Sequence, residues 1–181
     1  EYDQRSKTVP VQVIFPTEEG HDNRVTHIAA GGYHGVAVTV EGRVFTWGRN
    51  DYGQLGNMES ESQTKMNAAV PVLTRGVNNQ PDPISNAIRA AAGDNFSMVL
   101  TADGEAYVWG QNTSGQLGIN TSNNISHPMR LRGYNGGGYM NNLVAISGGQ
   151  NHAMALRSDG SVFAWGSNAS GQLGNPEAGN R

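Results

Sequence analysis

Residues 109–118 read WGQNTSGQLG, and the same pattern occurs at residues 47–56 (WGRNDYGQLG) and 165–174 (WGSNASGQLG). All three tryptophans of the chain lie in these copies, about 60 residues apart. A period of this size indicates that one structural unit recurs along the chain. A residue shared by all three copies is expected to serve that unit, whereas a residue found in one copy is a candidate for a specific task.

Each copy extends upstream of its tryptophan with a second shared pattern. A glycine is followed three residues later by a histidine or phenylalanine ring. Alternating apolar residues come next, then an acidic residue followed by glycine, and then a segment with an aromatic residue. The glycine and ring pairs are Gly31 with His34, Gly93 with Phe96, and Gly149 with His152. Alternation with a period of two predicts half-buried strands. An acidic residue followed by glycine between two such segments predicts a hairpin, because glycine accepts a positive φ.

Two further short apolar segments complete each unit. One precedes the shared glycine, and the other begins with a proline, at Pro10, Pro71 and Pro128. Proline is tolerated as the first residue of a strand or on an edge strand, where its missing N–H removes no ladder hydrogen bond. The sequence therefore predicts about four antiparallel strands per unit and no long helix, which is typical of one propeller blade.

The combined pattern resembles the repeat of the regulator of chromosome condensation family over nearly the whole chain. This resemblance implies an all-β fold, with blades of four antiparallel strands from a seven-bladed β-propeller. We expect one segment over residues 1–181, with units at approximately 10–56, 71–118 and 128–174. Three blades leave two open faces and unpaired strand edges. We therefore expect a partial ring, completed by further blades from the same or another chain.

Composition excludes several classes of site. The 181 residues carry a net charge of −3 and no cysteine, so direct nucleic-acid binding is disfavoured and thiolate metal sites are absent. No apolar run is long enough to span a bilayer. Metalloprotease, nucleophile-elbow and phosphate-loop motifs are missing. We therefore expect no catalytic residue, no cofactor, no metal and no enzymatic activity. The compartment stays open between cytosolic or nuclear and secreted.

The repeated residues are interpreted as structural. Trp47, Trp109 and Trp165 recur at one place in the pattern and are expected to pack in the blade core. His34 and His152 share their place with Phe96, so a buried ring with one backbone hydrogen bond is expected there.

Residues that the three copies do not share are the candidates for partner contact. Insertions between repeat units usually lie on one face of the fold, which is often the binding face. Exposed tyrosine, methionine and arginine are enriched at the centres of interfaces. The candidates in the connecting stretch 119–142 are Arg130, Arg132, Tyr134, Tyr139 and Met140. Arg49 and Tyr52 lie inside the repeated loop and are candidates because they occur in one copy only.

The function expected from the sequence is a non-enzymatic interaction scaffold that presents propeller loops to a protein partner. The resemblance implies one alternative, guanine-nucleotide exchange on a small Ran-like GTPase. A second alternative is a secreted bacterial effector or inhibitor with the same fold. We expect neither a membrane nor nucleic acid as a direct partner.

Overall fold

The computed structural model describes residues 6–58, 65–75 and 81–176, which contain three antiparallel sheets of three or four strands, one for each tryptophan copy. The first sheet consists of β1 Val25–Ala30, β2 His34–Thr39, β3 Val44–Arg49 and β4 Lys65–Pro71. A small hairpin follows, made of β5 Leu73–Arg75 and β6 Pro81–Pro83. The second sheet consists of β7 Ala87–Ala92, β8 Phe96–Thr101, β9 Ala106–Gly110 and β10 Ile125–Arg130. The third sheet consists of β11 Leu143–Gly148, β12 His152–Arg157 and β13 Val162–Gly166.

The all-β prediction is confirmed. In each sheet the strands follow one another in sequence order, and the described part of the chain contains no α-helix. The first two sheets have the four strands that the sequence predicts, and the third has three among the described residues. The predicted hairpins connect the second and third strands, with Gly42 at φ 75° and Gly104 at φ 74°.

The predicted proline strands differ from the observed fourth strands. Pro71 is the last residue of β4, Pro128 lies inside β10, and Pro10 belongs to no strand. Pairing places Pro71 opposite Phe45, whereas Arg130 occupies the corresponding place opposite Tyr107. Both prolines lie on the outermost strand of their sheet, where a missing N–H has little cost. Because proline is tolerated at several places on such an edge, it does not fix the register.

The hydrophobic core lies between neighbouring sheets. One cluster joins the first sheet to the second and includes Val36, Val72 and Trp109. The other joins the second sheet to the third and includes Phe96 and Leu131, with Trp165 packed against it. The stability of each sheet therefore depends on its neighbours, as expected for stacked repeats.

The repeated tryptophans connect each sheet to the loop of the preceding one. Trp109 Nε1 donates a hydrogen bond to the Gln54 carbonyl oxygen at 2.8 Å, and Trp165 Nε1 donates to the Gln116 carbonyl oxygen at 2.9 Å. The loop that carries each glutamine is held by its asparagine, whose Oδ1 accepts from the leucine N–H. The pairs are Asn50 with Leu55, Asn112 with Leu117 and Asn168 with Leu173. The Gly-Gln-Leu-Gly motif thus acts between sheets.

The glycine and ring pairs mark a close approach of the sheets. A Cβ added to Gly93 would lie 1.9 Å from Phe96 Cε1 and 2.5 Å from the Gly149 carbonyl oxygen. Gly31 has the same relation to His34 and to the Gly93 carbonyl oxygen, at 2.1 Å and 2.6 Å. Only glycine leaves room for this contact, which explains its place in every copy.

The buried His34 makes a side-chain hydrogen bond between sheets. Its Nε2 lies 2.8 Å from Ser97 Oγ, and Ser97 Oγ donates to the Gln54 carbonyl oxygen at 2.8 Å. Because the serine proton is used in that second bond, His34 Nε2 must carry the proton of the first. The Gln54 carbonyl therefore accepts from both Ser97 and Trp109.

We expect the free energy of unfolding to fall as the pH drops from about 6.5 to about 4. Burial lowers the pKa of His34 from 6.5 to about 4, so in this window the unfolded chain binds a proton that the folded chain does not. The loss amounts to about 3 kcal/mol when fully developed. It is measured by urea unfolding across this pH range.

The matched control is His34→Phe, which installs the ring that the second copy has at this place. It should remove this part of the pH dependence, while other titrating groups continue to contribute in both proteins. Equal pH dependence in the two proteins would contradict the assignment.

Candidate protein-binding surface

Four side chains meet beside the outer strand of the second sheet, and we call them the Tyr139 cluster: Glu105, Arg130, Arg132 and Tyr139. An isolated antiparallel bridge between Arg132 and Tyr139 returns the chain to this strand after the loop 133–138. The guanidinium carbons of Arg130 and Arg132 each lie 4.7 Å from the centre of the Tyr139 ring. Such cation–π contacts hold flexible arginine side chains in place.

The two arginines of this cluster differ in charge compensation. Arg130 Nη2 lies 2.5 Å from Glu105 Oε1. Two effects raise the pKa of the neighbouring Tyr107: its own burial, which is the larger one, and the negative charge of Glu105. No carboxylate in the described ranges comes within ion-pair distance of Arg132. The cluster therefore presents one uncompensated positive charge next to a half-exposed aromatic ring.

The loop that precedes Tyr139 extends toward the third sheet. Tyr134 begins a single 3-10 turn, Tyr134–Gly136, and is 73% exposed. Its ring centre lies 6.0 Å from that of Phe163 on β13. Between this loop and β13 lies an open groove of about 920 Å³, lined on one side by Arg132 and Tyr134 and on the other by Phe163 and Trp165.

Met140 does not belong to this exposed surface. It is only 8% exposed and is part of the core between the second and third sheets. Its N–H donates to the Leu131 carbonyl oxygen at 3.0 Å, which fixes the residue beneath the loop. The expectation that Met140 is exposed for partner contact is therefore wrong.

A second aromatic and arginine group lies on the first sheet, and we call it the Tyr33 cluster: Tyr33, Arg49, Asp51 and Tyr52. The guanidinium carbon of Arg49 lies 5.7 Å from the Tyr33 ring centre and 6.0 Å from that of Tyr52. Arg49 also pairs with Asp51, whose hydrogen bond is the main cause that raises the arginine pKa. The charge of Arg49 is thus partly compensated within the cluster.

Tyr33 is a surface residue that was not among the candidates predicted from the sequence. It is largely exposed, and the other copies have Asn95 and Asn151 in its place. This single-copy difference is the same signal that selected Tyr52, so it could have identified Tyr33.

The structure separates the sequence candidates into two places. Arg49 is the last residue of β3, next to the loop between β1 and β2, whereas Arg130 pairs with Tyr107 near the beginning of β9. The equivalent strands β3 and β9 run in the same sense within their sheets, so the two clusters lie at opposite ends of the strands. Residues 59–64 and 76–80, in the connection between the first two units, lie outside the described residues.

The described residues contain neither a metal-binding cluster nor a membrane-spanning helix. They contain no group of three or more His, Asp or Glu side chains arranged to hold a metal ion. Within the same ranges, no helix has the length and apolarity needed to cross a membrane.

Comparison with protein families identifies the repeat. The model of the regulator of chromosome condensation (RCC1) repeat matches residues 41–100 and 103–156. A second model of the same repeat matches residues 25–54, 88–116 and 143–172. Together these matches include all three repeated tryptophans.

Curated relatives share this segment but are much longer. The rat protein named "Probable E3 ubiquitin-protein ligase HERC4" is 36% identical over 154 residues, which is 84% of this chain and 13% of the relative. Protein pim1 of Schizosaccharomyces pombe is 31% identical over 182 aligned residues, which is 96% of this chain and 30% of the relative. The chain thus spans less than a third of either relative.

Solved structures agree with the fold. The crystal structure of human WBSCR16 matches 92% of this chain and 39% of its own, with a TM-score of 0.73 and 24% identity. The crystal structure of Prp20p from Saccharomyces cerevisiae, described with its binding properties to Gsp1p and histones, matches 82% of this chain and 33% of its own, with a TM-score of 0.59 and 26% identity. These similarities confirm the prediction of a partial β-propeller.

The expectation of a chain without enzymatic activity is corrected by these comparisons. Several relatives, HERC4 among them, are named E3 ubiquitin-protein ligases, and such ligases are enzymes. The similarity covers only the repeat region of those proteins. Missing catalytic motifs in one repeat segment therefore do not exclude an enzyme.

Proposed function

Since the chain belongs to the regulator of chromosome condensation (RCC1) repeat family, we propose that it is a protein-binding propeller segment and that the Tyr139 cluster is its contact surface. The observation that carries this proposal is the pair of arginines over one half-exposed tyrosine. Arginine and tyrosine supply most of the binding energy at many protein interfaces.

The charges of the cluster favour a partner with an acidic side chain. Arg130 is paired with Glu105, whereas no carboxylate among the described residues pairs with Arg132, which can therefore bind a carboxylate of the partner. Contact with Tyr139 already restricts the side chain of Arg132, which lowers the entropy lost on binding. The exposed Tyr134 adds an aromatic surface beside it.

The relatives are compatible with a protein-binding role. A ubiquitin-protein ligase acts on proteins, and the segment similar to this chain forms 13% of HERC4. Recognition of a protein is a task that such a segment can perform within a larger protein.

Nucleotide exchange on a Ran-like GTPase is the second candidate. It is supported by the similarity to Prp20p, which is described with binding properties to Gsp1p. Faster release of labelled GDP from purified Gsp1p in the presence of this chain would support exchange activity. An unchanged release rate would count against it.

The double variant Arg132→Ala with Tyr139→Ala is expected to weaken partner binding about 30-fold, because truncating an interface hot spot costs about 2 kcal/mol. Cross-linking to the wild-type chain first identifies the binding proteins. The dissociation constant of each one is then measured for the wild-type chain and for the double variant. The affinity of the wild-type chain should also fall with increasing salt.

The matched control is Arg24→Ala, which removes a mostly exposed arginine that pairs with Asp22 on the first sheet. It should leave partner binding unchanged. Equal affinities of the double variant and the wild-type chain for every cross-linked protein would contradict the proposed surface.

A further inference from the structure

We propose that acid loosens the contact between the first and second sheets while the second and third sheets stay packed together. We call these the first contact and the second contact. Two histidines of the first sheet, His27 and His34, hydrogen-bond to the second sheet across the first contact. This regulation does not involve the Tyr139 cluster, so it is independent of the proposed partner surface.

His27 on β1 binds the backbone of the second sheet. Its Nδ1 lies 3.1 Å from the Ala90 nitrogen of β7 and accepts the Ala90 N–H. Because Nδ1 can accept only while it carries no proton, protonation of the ring breaks this bond. Burial lowers the pKa of His27, and the charge of Arg89 lowers it further. The closed contact therefore favours a neutral ring at this place.

His34 on β2 joins the same two sheets from a more buried position. Its Nε2 donates to Ser97 Oγ on β8, while its Nδ1 is buried and has no hydrogen-bond partner among the described residues. A second proton would have to go to Nδ1, which lies beside Gly31. Burial lowers the pKa of His34 to about 4, although the Phe96 backbone and the Asp94 carboxylate act in the opposite direction. A charged ring therefore destabilises the closed contact.

Few charged groups lie on the strands around the two rings. Strands β1, β2 and β8 contain no charged residue apart from the histidines, and β7 contains only Arg89. Strand β3 ends in Arg49, which pairs with Asp51. Asp94, in the loop between β7 and β8, is the carboxylate that acts on His34. One carboxylate does not compensate two new positive charges beside Arg89, so protonation of both rings weakens the first contact.

The second contact has no histidine at the corresponding places. The second sheet has Arg89 where the first has His27, and Phe96 where the first has His34. His152 is the third-unit counterpart of His34. Since His34 faces the following sheet, the repeat places His152 on the side of the third sheet that faces away from the second. Protonation of histidines therefore acts on the first contact and leaves the second unchanged.

Equivalent backbone hydrogen bonds make the two contacts directly comparable. Each contact has one such bond at the loop between the first two strands of a sheet and another at the turn between the second and third strands. Across the first contact, Gly32 N donates to the Asp94 carbonyl oxygen at 3.0 Å and Ala87 N donates to that of Gly42 at 3.0 Å. Across the second contact, Asp94 N donates to the Gln150 carbonyl oxygen at 3.1 Å and Leu143 N donates to that of Gly104 at 2.9 Å.

The first test measures hydrogen exchange of these four amides in the full chain at pH 7.5 and pH 5. His34 has a pKa of about 4 in the closed contact and about 6.5 when the contact opens. Opening should therefore become about 30-fold more frequent at pH 5. The protection factors of Gly32 and Ala87 should fall about 30-fold more than those of Asp94 and Leu143. Equal falls at all four amides would indicate global unfolding and overturn the proposal.

The second test is the double variant His27→Gln with His34→Phe. Glutamine keeps a hydrogen-bond acceptor that does not titrate in this range, and phenylalanine is the residue of the second copy. In this variant the four protection factors should change equally between pH 7.5 and pH 5. The matched control His152→Phe makes the same substitution at the equivalent place of the third unit and should keep the wild-type difference. A double variant that keeps the difference would contradict the assignment to these histidines.

Discussion

Trp109→Ala is expected to lower the free energy of unfolding by about 3–5 kcal/mol, the usual cost of truncating a buried tryptophan. Trp109 is fully buried between the first and second sheets, and its Nε1 donates to the Gln54 carbonyl oxygen. The substitution removes the ring from the core between the sheets and leaves that carbonyl with Ser97 as its remaining donor. Urea unfolding followed by circular dichroism measures the loss.

Trp47→Ala is the matched control for this prediction. Trp47 occupies the same place in its copy, but it is only half-buried and lies against the Phe15 ring. Its replacement should cost clearly less than that of Trp109. Equal losses would show that the tryptophans stabilise their own sheets and not the contacts between sheets.

Gly93→Ala is expected to destabilise the chain by about 3 kcal/mol or more, because overpacking a tight contact forces the backbone or a ring to move. The new Cβ would lie 1.9 Å from Phe96 Cε1 and 2.5 Å from the Gly149 carbonyl oxygen. Moving the ring does not relieve the second contact, since it involves the backbone of the next sheet. The change in thermal and urea unfolding measures the effect.

Gly137→Ala serves as the control, because its φ is −81° and the added Cβ would meet only the Tyr134 carbonyl oxygen, at 3.8 Å. Its effect should stay within about 0.5 kcal/mol. If both variants had the same stability, the close approach of the sheets at Gly93 would not matter for folding.

The pattern within one unit was sufficient to predict the strands and hairpins. Alternation and the acidic residue before Gly42 or Gly104 act over a few neighbouring residues, so their effect can be read locally. The partner of a repeated residue could not be read in this way. Trp109 bonds to Gln54, which belongs to the preceding unit, and a repeat pattern does not show which units touch.

The candidate surface was less predictable for a related reason. Arg130, Arg132 and Tyr139 were selected because they fall in the unrepeated stretch 119–142, but their contact depends on a loop that returns to the strand. The same loop buries Met140, and no periodicity at residue 140 indicates this. Tyr33 was missed because its loop looks like part of the repeat, although its side chain is unique to one copy.

The two contacts between sheets differ in their number of hydrogen bonds, and this has a mechanical consequence. Gln54 accepts from both Ser97 and Trp109, whereas Gln116 accepts from Trp165, and the third unit has Ala153 where the second has Ser97. In a linear array of units that contact only their neighbours, an applied force separates the units first at the weaker contact. When the chain is pulled from both ends, we therefore expect the third unit to separate from the second first. The first and second units should stay packed together at that force.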